Sequence, residues 1–64
     1  MVKINGESFD IAGKTIGEYL DTTNYDKRRI AVEKNGDIVP KAMYNETLIN
    51  DGDSIEVVSF VGGG

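Results

Sequence analysis

Asp51-Gly52-Asp53-Ser54-Ile55-Glu56-Val57-Val58-Ser59-Phe60 reads as a tight turn feeding a single strand. Asp and Gly accept the backbone angles of a turn, and the residues after them alternate with the period of a strand, Ile55 and Val57 facing one way and Val58 and Phe60 the other. A strand placed here can complete a sheet by entering beside the first strand of the chain. Directly behind it come Val61 and the run Gly62-Gly63-Gly64.

Working back from that strand, the chain reads as hairpin, helix, hairpin. Val2 and Ile4 alternate with Lys3 and Asn5, Asn5-Gly6 intervenes, and Phe9 and Ile11 resume the pattern. Asn-Gly is the pair that a type I′ hairpin turn favours, because both central residues need positive φ. Arg29-Ile30-Ala31-Val32-Glu33-Lys34 alternates again, Asn35-Gly36 repeats the turn signal, and Ile38-Val39 is closed by Pro40. Between the hairpins, Thr15-Ile16-Gly17-Glu18 fits a capping box, with Ile16, Tyr19 and Leu20 on one apolar stripe. The run Asp21-Thr22-Thr23-Asn24 ends that helix, and Gly17 weakens it, so packing must hold it in place. A single helical turn is expected within residues 44–49. The expected core is Val2, Ile4, Phe9, Ile11, Ile16, Leu20, Ile30, Val32, Ile38, Leu48, Ile55 and Val57. The fold class is α+β, a mixed sheet of four to five strands packed on one helix.

Sixty-four residues make one domain with a small core, and a deep substrate cleft is not expected. The formal charge of −4 would repel a strip of phosphates, so nucleic acid is a poor partner and basic protein surfaces are better ones. No apolar run approaches the roughly 20 residues that span a bilayer, and the N-terminal residues lack the apolar stretch of a signal peptide. The chain is expected in the cytoplasm, without membrane partners and monomeric when free. It contains no Cys and no His, which removes the side chains that most often act as nucleophile, general base or metal ligand near neutral pH. Gly13-Lys14-Thr15 looks like the end of a phosphate-binding loop, but Ser8 stands where that motif needs glycine. Asp51 and Asp53 lack the spacing of a calcium loop, and Asn45-Glu46-Thr47 is a glycosylation triplet short enough to arise by chance.

The glycine run is the remaining candidate. Without Cβ, glycine lets a backbone pass along a narrow channel, and the five residues after Ser59 can span roughly 17 Å when extended. The run ends in an α-carboxylate, ionised at neutral pH and a poor electrophile until its oxygen is made a better leaving group. Adenylation would do that, followed by attack of a sulfur or nitrogen nucleophile. No ATP site is legible in the chain, so a second protein must supply it.

The stretches 30–41 and 51–64 resemble the ThiS family of sulfur carriers in thiamine biosynthesis, and the similarity runs along essentially the whole chain. Tyr44 stands where a Trp is common, Lys34 where an apolar residue is frequent and Lys41 where Arg is usual. The resemblance implies a ubiquitin-like β-grasp domain over residues 1–61 with a flexible tail over 62–64. It implies that a ThiF-like adenylyltransferase, using ATP with magnesium, activates Gly64. Sulfur from a cysteine desulfurase pathway then makes a Gly64 thiocarboxylate, which donates to the thiazole synthase ThiG. The chain would be no enzyme itself but a co-substrate, with no cofactor and no metal of its own. Gly62 and Gly63 would thread the partner's active site, and Val58, Phe60 and Val61 would bind at its mouth. Two alternatives stay open: a MoaD-like carrier for molybdopterin synthesis, and a ubiquitin-like protein modifier.

Overall fold

The computed structural model describes residues 1–60; Val61, Gly62, Gly63 and Gly64 lie outside the described residues. Both Asn-Gly pairs form the turns their chemistry favours. Asn5 and Gly6 have φ of 51° and 85°, and Asn35 and Gly36 have φ of 52° and 89°, the doubly left-handed pattern of a type I′ turn. The first turn joins β1 (Val2–Ile4) to β2 (Glu7–Phe9), and the second joins β3 (Ile30–Lys34) to β4 (Asp37–Val39). The last strand, β5 (Ser54–Ser59), lies between the hairpins, parallel to β1 and antiparallel to β3. The resulting sheet has five strands in the order β2-β1-β5-β3-β4.

The helix α1 (Ile16–Asp21) has only 6 residues, too few to persist without tertiary support. Its capping box is formed: Glu18 N donates to Thr15 Oγ1, and Thr15 N donates to the Glu18 carboxylate. The two helical N–H groups that a capping box leaves open are taken by a distant segment. Ile16 N donates to the Thr47 carbonyl at 2.9 Å and Gly17 N to the Tyr44 carbonyl at 2.8 Å. This contact explains Gly17. A Cβ there would stand 1.9 Å from Asn45 Oδ1, 3.0 Å from its Cγ and 3.3 Å from its Cα, so the 44–47 segment can approach only a residue without a side chain. Gly13-Lys14 is likewise a backbone junction, since Gly13 N donates to the Ile49 carbonyl and Ile49 N to the Lys14 carbonyl.

Helix and sheet enclose one apolar core. Val2, Ile4, Ile16, Leu20, Ile30, Val32, Ile55 and Val57 are buried as expected. Phe9 and Ile11 are only partly buried and pack against the core from its edge, Phe9 edge-on to Tyr19 with ring centroids 6.2 Å apart. Two expected core residues face outward: Ile38 is 64 % exposed and Leu48 52 %. The two-residue turn is the reason for the first, because it sets Glu33 opposite Ile38 and buried Val32 opposite Val39. Val39 therefore takes the inward place. Ile49 replaces Leu48, held inward by its paired hydrogen bonds to Gly13 and Lys14. Tyr44 completes the core, and burial pushes its phenol pKa up.

The helical turn expected within residues 44–49 occurs earlier, as a 3₁₀ turn at Lys41–Met43 with Pro40 as its N-cap. A second 3₁₀ turn, Lys27–Arg29, had no sequence expectation; Asp26 caps it by accepting from Arg28 N at 3.0 Å.

Asp53 is the one buried charged residue among the described residues. Its carboxylate accepts from Asn50 N at 2.8 Å and from Asn35 Nδ2 at 2.9 Å, with Lys34 Nζ at 3.5 Å. Burial pushes the carboxyl up, but the Asn50 N–H, the Asn35 amide and the Lys34 ammonium together outweigh it and hold the pKa below the ordinary value. A carboxyl whose folded pKa is depressed binds fewer protons folded than unfolded. Its stabilisation is complete above about pH 5 and is lost as pH falls through about 4 toward the folded value. Asp53→Asn is therefore expected to cost about 1–3 kcal/mol at pH 7, with the difference from the parent shrinking between about pH 5 and 3 in urea denaturation. A difference that stays constant with pH would exclude this role for the carboxylate. At the helix, Gly17→Ala should lower stability by about 1–2 kcal/mol despite alanine's better helix propensity. Asn45→Ala in the same chain should restore part of the loss, and a neutral Gly17→Ala in the same measurement would show that Asn45 simply moves aside.

Candidate functional site

The described part of the candidate site is the C-terminal half of β5, and its position is set by the sheet rather than by local sequence. Ile30 pairs with Ser59, Ala31 with Val58 and Val32 with Val57. One residue beyond the strand, Phe60 N donates to the Arg29 carbonyl at 2.7 Å, so the backbone is tied down to the last described residue. Alternation along β5 then divides its side chains. Ile55 and Val57 enter the core, while Val58 and Phe60, 51 % and 52 % exposed, lie on the opposite, outer face. Both sequence-predicted binding residues that fall in the described region are thus brought together on one side of one strand. The predicted residues Val61, Gly62, Gly63 and Gly64 lie outside the described residues.

Asn5 and Asn35 clip this strand at two points. The Asn5 amide forms a closed pair with the backbone of Val57, accepting from Val57 N at 2.8 Å and donating to Val57 O at 3.2 Å. Asn35 Oδ1 accepts from Ser54 N at 2.9 Å, and Asn35 N donates to Ser54 O at 2.8 Å. Each asparagine therefore does two jobs: its backbone takes the positive φ of a hairpin turn, and its side chain binds the central strand. The first role is written in the Asn-Gly pairs. The second is not, because its partners lie 52 and 19 positions away.

Three further features border the outer face without having been anticipated. Ile38 joins it through the register of β3 and β4. The basic run Lys27-Arg28-Arg29 leads into the residue that holds Phe60, and Lys41 Nζ donates to the Arg28 carbonyl at 2.8 Å. The cations of that run are paired locally, Lys27 with Asp21 and both Arg28 and Arg29 with Asp26. Among the described residues no group of three or more His, Cys, Asp or Glu is placed to hold a metal ion, and no helix is long and apolar enough to cross a membrane. What the arrangement offers chemically is a firmly held strand that leads directly into the glycine run.

Comparison with known proteins places this architecture. The model of the ThiS family matches residues 2–64. The sulfur carrier protein ThiS of Bacillus subtilis is 37 % identical over 68 residues, covering 100 % of both chains. A thiazole synthase of Paramagnetospirillum magneticum is 45 % identical over 62 residues, which is 95 % of this chain but only 19 % of that protein; the chain spans about a fifth of that relative's length. The crystal structure of the thiamine biosynthesis protein ThiS from Geobacter metallireducens superposes with a TM-score of 0.79 at 28 % identity, covering 98 % of this chain and 97 % of that one. The sheet of five strands with one helix is the β-grasp fold.

The clip on β5 can be tested apart from the turn it grows from. Asn5→Gly keeps a residue that adopts positive φ freely but removes both side-chain hydrogen bonds to Val57, together with the longer one from Asn5 Nδ2 to the Tyr25 hydroxyl at 3.5 Å. It should cost about 1–3 kcal/mol in denaturant unfolding and speed amide exchange at Val57 selectively. A loss below about 0.5 kcal/mol with unchanged exchange would mean that the amide pair holds nothing.

Proposed function

Because the chain belongs to the ThiS family of sulfur carriers for thiamine biosynthesis, we propose that its Gly64 carboxylate is the group that carries the sulfur. The observation behind this reading is that the family match runs through residue 64 on a chain with no Cys or His. A carrier without a thiol must hold sulfur on an acyl carbon. A carboxylate oxygen of Gly64 attacks the α-phosphorus of ATP in a ThiF-like adenylyltransferase and expels pyrophosphate, giving an acyl-adenylate. A sulfur nucleophile fed by a cysteine desulfurase then attacks the Gly64 carbonyl carbon and displaces AMP. That nucleophile is a persulfide, so the product is an acyl disulfide; a thiol then attacks the donor's sulfur, the S–S bond breaks, a disulfide of donor and thiol forms, and the thiocarboxylate is released at the chain end. ATP and magnesium belong to the activating enzyme, and this chain is its co-substrate rather than a catalyst.

The recipient is a thiazole synthase of the ThiG kind. Support comes from the thiazole synthases of Paramagnetospirillum magneticum and Magnetococcus marinus, each of which contains a segment similar to nearly all of this chain. Val58, Phe60 and Val61 meet the partner at the channel mouth, and Gly62 and Gly63 pass through it because no Cβ widens the backbone there.

Intact-mass measurement after incubation with a ThiF-type enzyme, ATP and a sulfur source should show one oxygen replaced by one sulfur, located at Gly64. An unchanged mass, together with growth without added thiazole after deletion of the gene, would exclude the reading. Gly63→Val should melt at the parent temperature yet lose on the order of 10²-fold in the rate of adenylation, followed by pyrophosphate release. Activation at the parental rate would remove the steric argument for the glycines.

A further inference from the structure

The two Asn-Gly pairs carry a chemistry that neither the hairpins nor the carrier reading uses. In such a pair the glycine amide nitrogen can attack the asparagine Cγ, because no Cβ stands in its way. A five-membered succinimide forms, and the amide proton leaves with the side-chain nitrogen as ammonia. Water then opens the ring. Attack at Cγ gives aspartate, and attack at the former backbone carbonyl gives isoaspartate, with the main chain rerouted through Cγ. At both turns the nucleophile is free: neither Gly6 N nor Gly36 N donates a backbone hydrogen bond in its turn. The space where a Cβ would stand on either glycine is open for 4 Å, so water has access.

What restrains the reaction is tertiary. The Asn5 carboxamide is held on the backbone of Val57, Oδ1 accepting at 2.8 Å and Nδ2 donating at 3.2 Å. It must give up both bonds before the ring can close on Gly6 N. Asn35 is restrained more firmly. Its Nδ2 donates to the buried Asp53 carboxylate at 2.9 Å, its Oδ1 accepts from Ser54 N at 2.9 Å, and its own N–H donates to Ser54 O at 2.8 Å. A hydrogen bond to an ionised acceptor is stronger than one between neutral groups. The strands beneath differ in the same sense: β3 pairs with β5 from Ile30 to Lys34, whereas β1 meets β5 only at Lys3 and Ile4. The shorter pairing opens at lower free energy.

We propose that Asn5 is a site of spontaneous deamidation, gated by local opening of the contact between β1 and β5, and that it converts more readily than Asn35. The inference does not depend on the function proposed above. Its consequence is irreversible loss of the grip on Val57. Aspartate at this position sets a carboxylate against the Val57 carbonyl and has no hydrogen to donate to it. Isoaspartate adds a methylene to the main chain of a two-residue turn, which shifts β2 against β1.

The full chain is incubated at mildly alkaline pH, folded in buffer and unfolded in guanidinium chloride, and digested with trypsin at intervals. Peptides 4–14 and 35–41 hold the two asparagines separately. Mass spectrometry reads the replacement of NH by O, and enzymatic methyl transfer reads isoaspartate. Dividing each unfolded rate by its folded rate gives the protection at that site. Asn5 is expected to be protected about tenfold to a thousandfold, and Asn35 at least about threefold more than Asn5. Protection of Asn5 outside that range, or of Asn35 by a smaller margin, overturns the proposal. The folded chain converted at Asn5, separated by its added charge, should melt about 5 °C or more below the parent and exchange the Val57 amide faster. An unchanged melting temperature would overturn the loss of grip.

Discussion

The structure depends on the backbone of β5 being paired on both sides by strands that are far away in sequence. β5 belongs to neither hairpin, so its N–H and C=O groups must be met by β1 on one edge and β3 on the other. Unpaired backbone groups at the centre of a small core would cost more than the domain can tolerate. The Asn5 and Asn35 side chains add to this pairing from opposite sides, at Val57 and Ser54. The two hairpins are local and can form early, whereas these bonds close loops of tens of residues. Sheet completion is therefore the step in which core, helix and final strand become one cooperative unit.

That same strand links stability to function. Ile55 and Val57 close the core while Glu56, Val58 and Phe60 stand on the outer face, so no residue has to serve both ends. Fixing the inward set also fixes the outward set, because a slip of one residue would exchange them. The hydrogen bond from Phe60 N to the Arg29 carbonyl carries that order to the last described residue. Such a division lets the outer face vary in charge and shape without loosening the core.

Departures from the sequence reading occur where two apolar residues are adjacent or where a partner segment is distant. Ile38-Val39 and Leu48-Ile49 each offer two apolar neighbours, and period alone does not say which turns inward. For the first pair the answer was already contained in Asn35-Gly36, since a two-residue turn places Ile38 across from Glu33. For the second pair no local signal exists, because Ile49 is set by hydrogen bonds to Gly13 and Lys14. Gly17 lowers helix propensity in sequence, while in the fold it is the one residue that admits the 44–47 segment and lets Tyr44 and Thr47 satisfy the start of the helix.

By itself, the sequence determined the two hairpins, the capped helix between them, the two-faced last strand and the glycine run behind it. These follow from turn chemistry, capping and side-chain period, all of which act over a few residues. Only the tertiary structure decided that Asn5 and Asn35 grip the final strand, that Asp53 is a buried and paired charge, and that Glu33 and Glu56 oppose each other beside Ile38 and Val58. Those relations join positions between 18 and 52 residues apart or come from strand register. They exist only once the chain has closed the loops that bring the strands together.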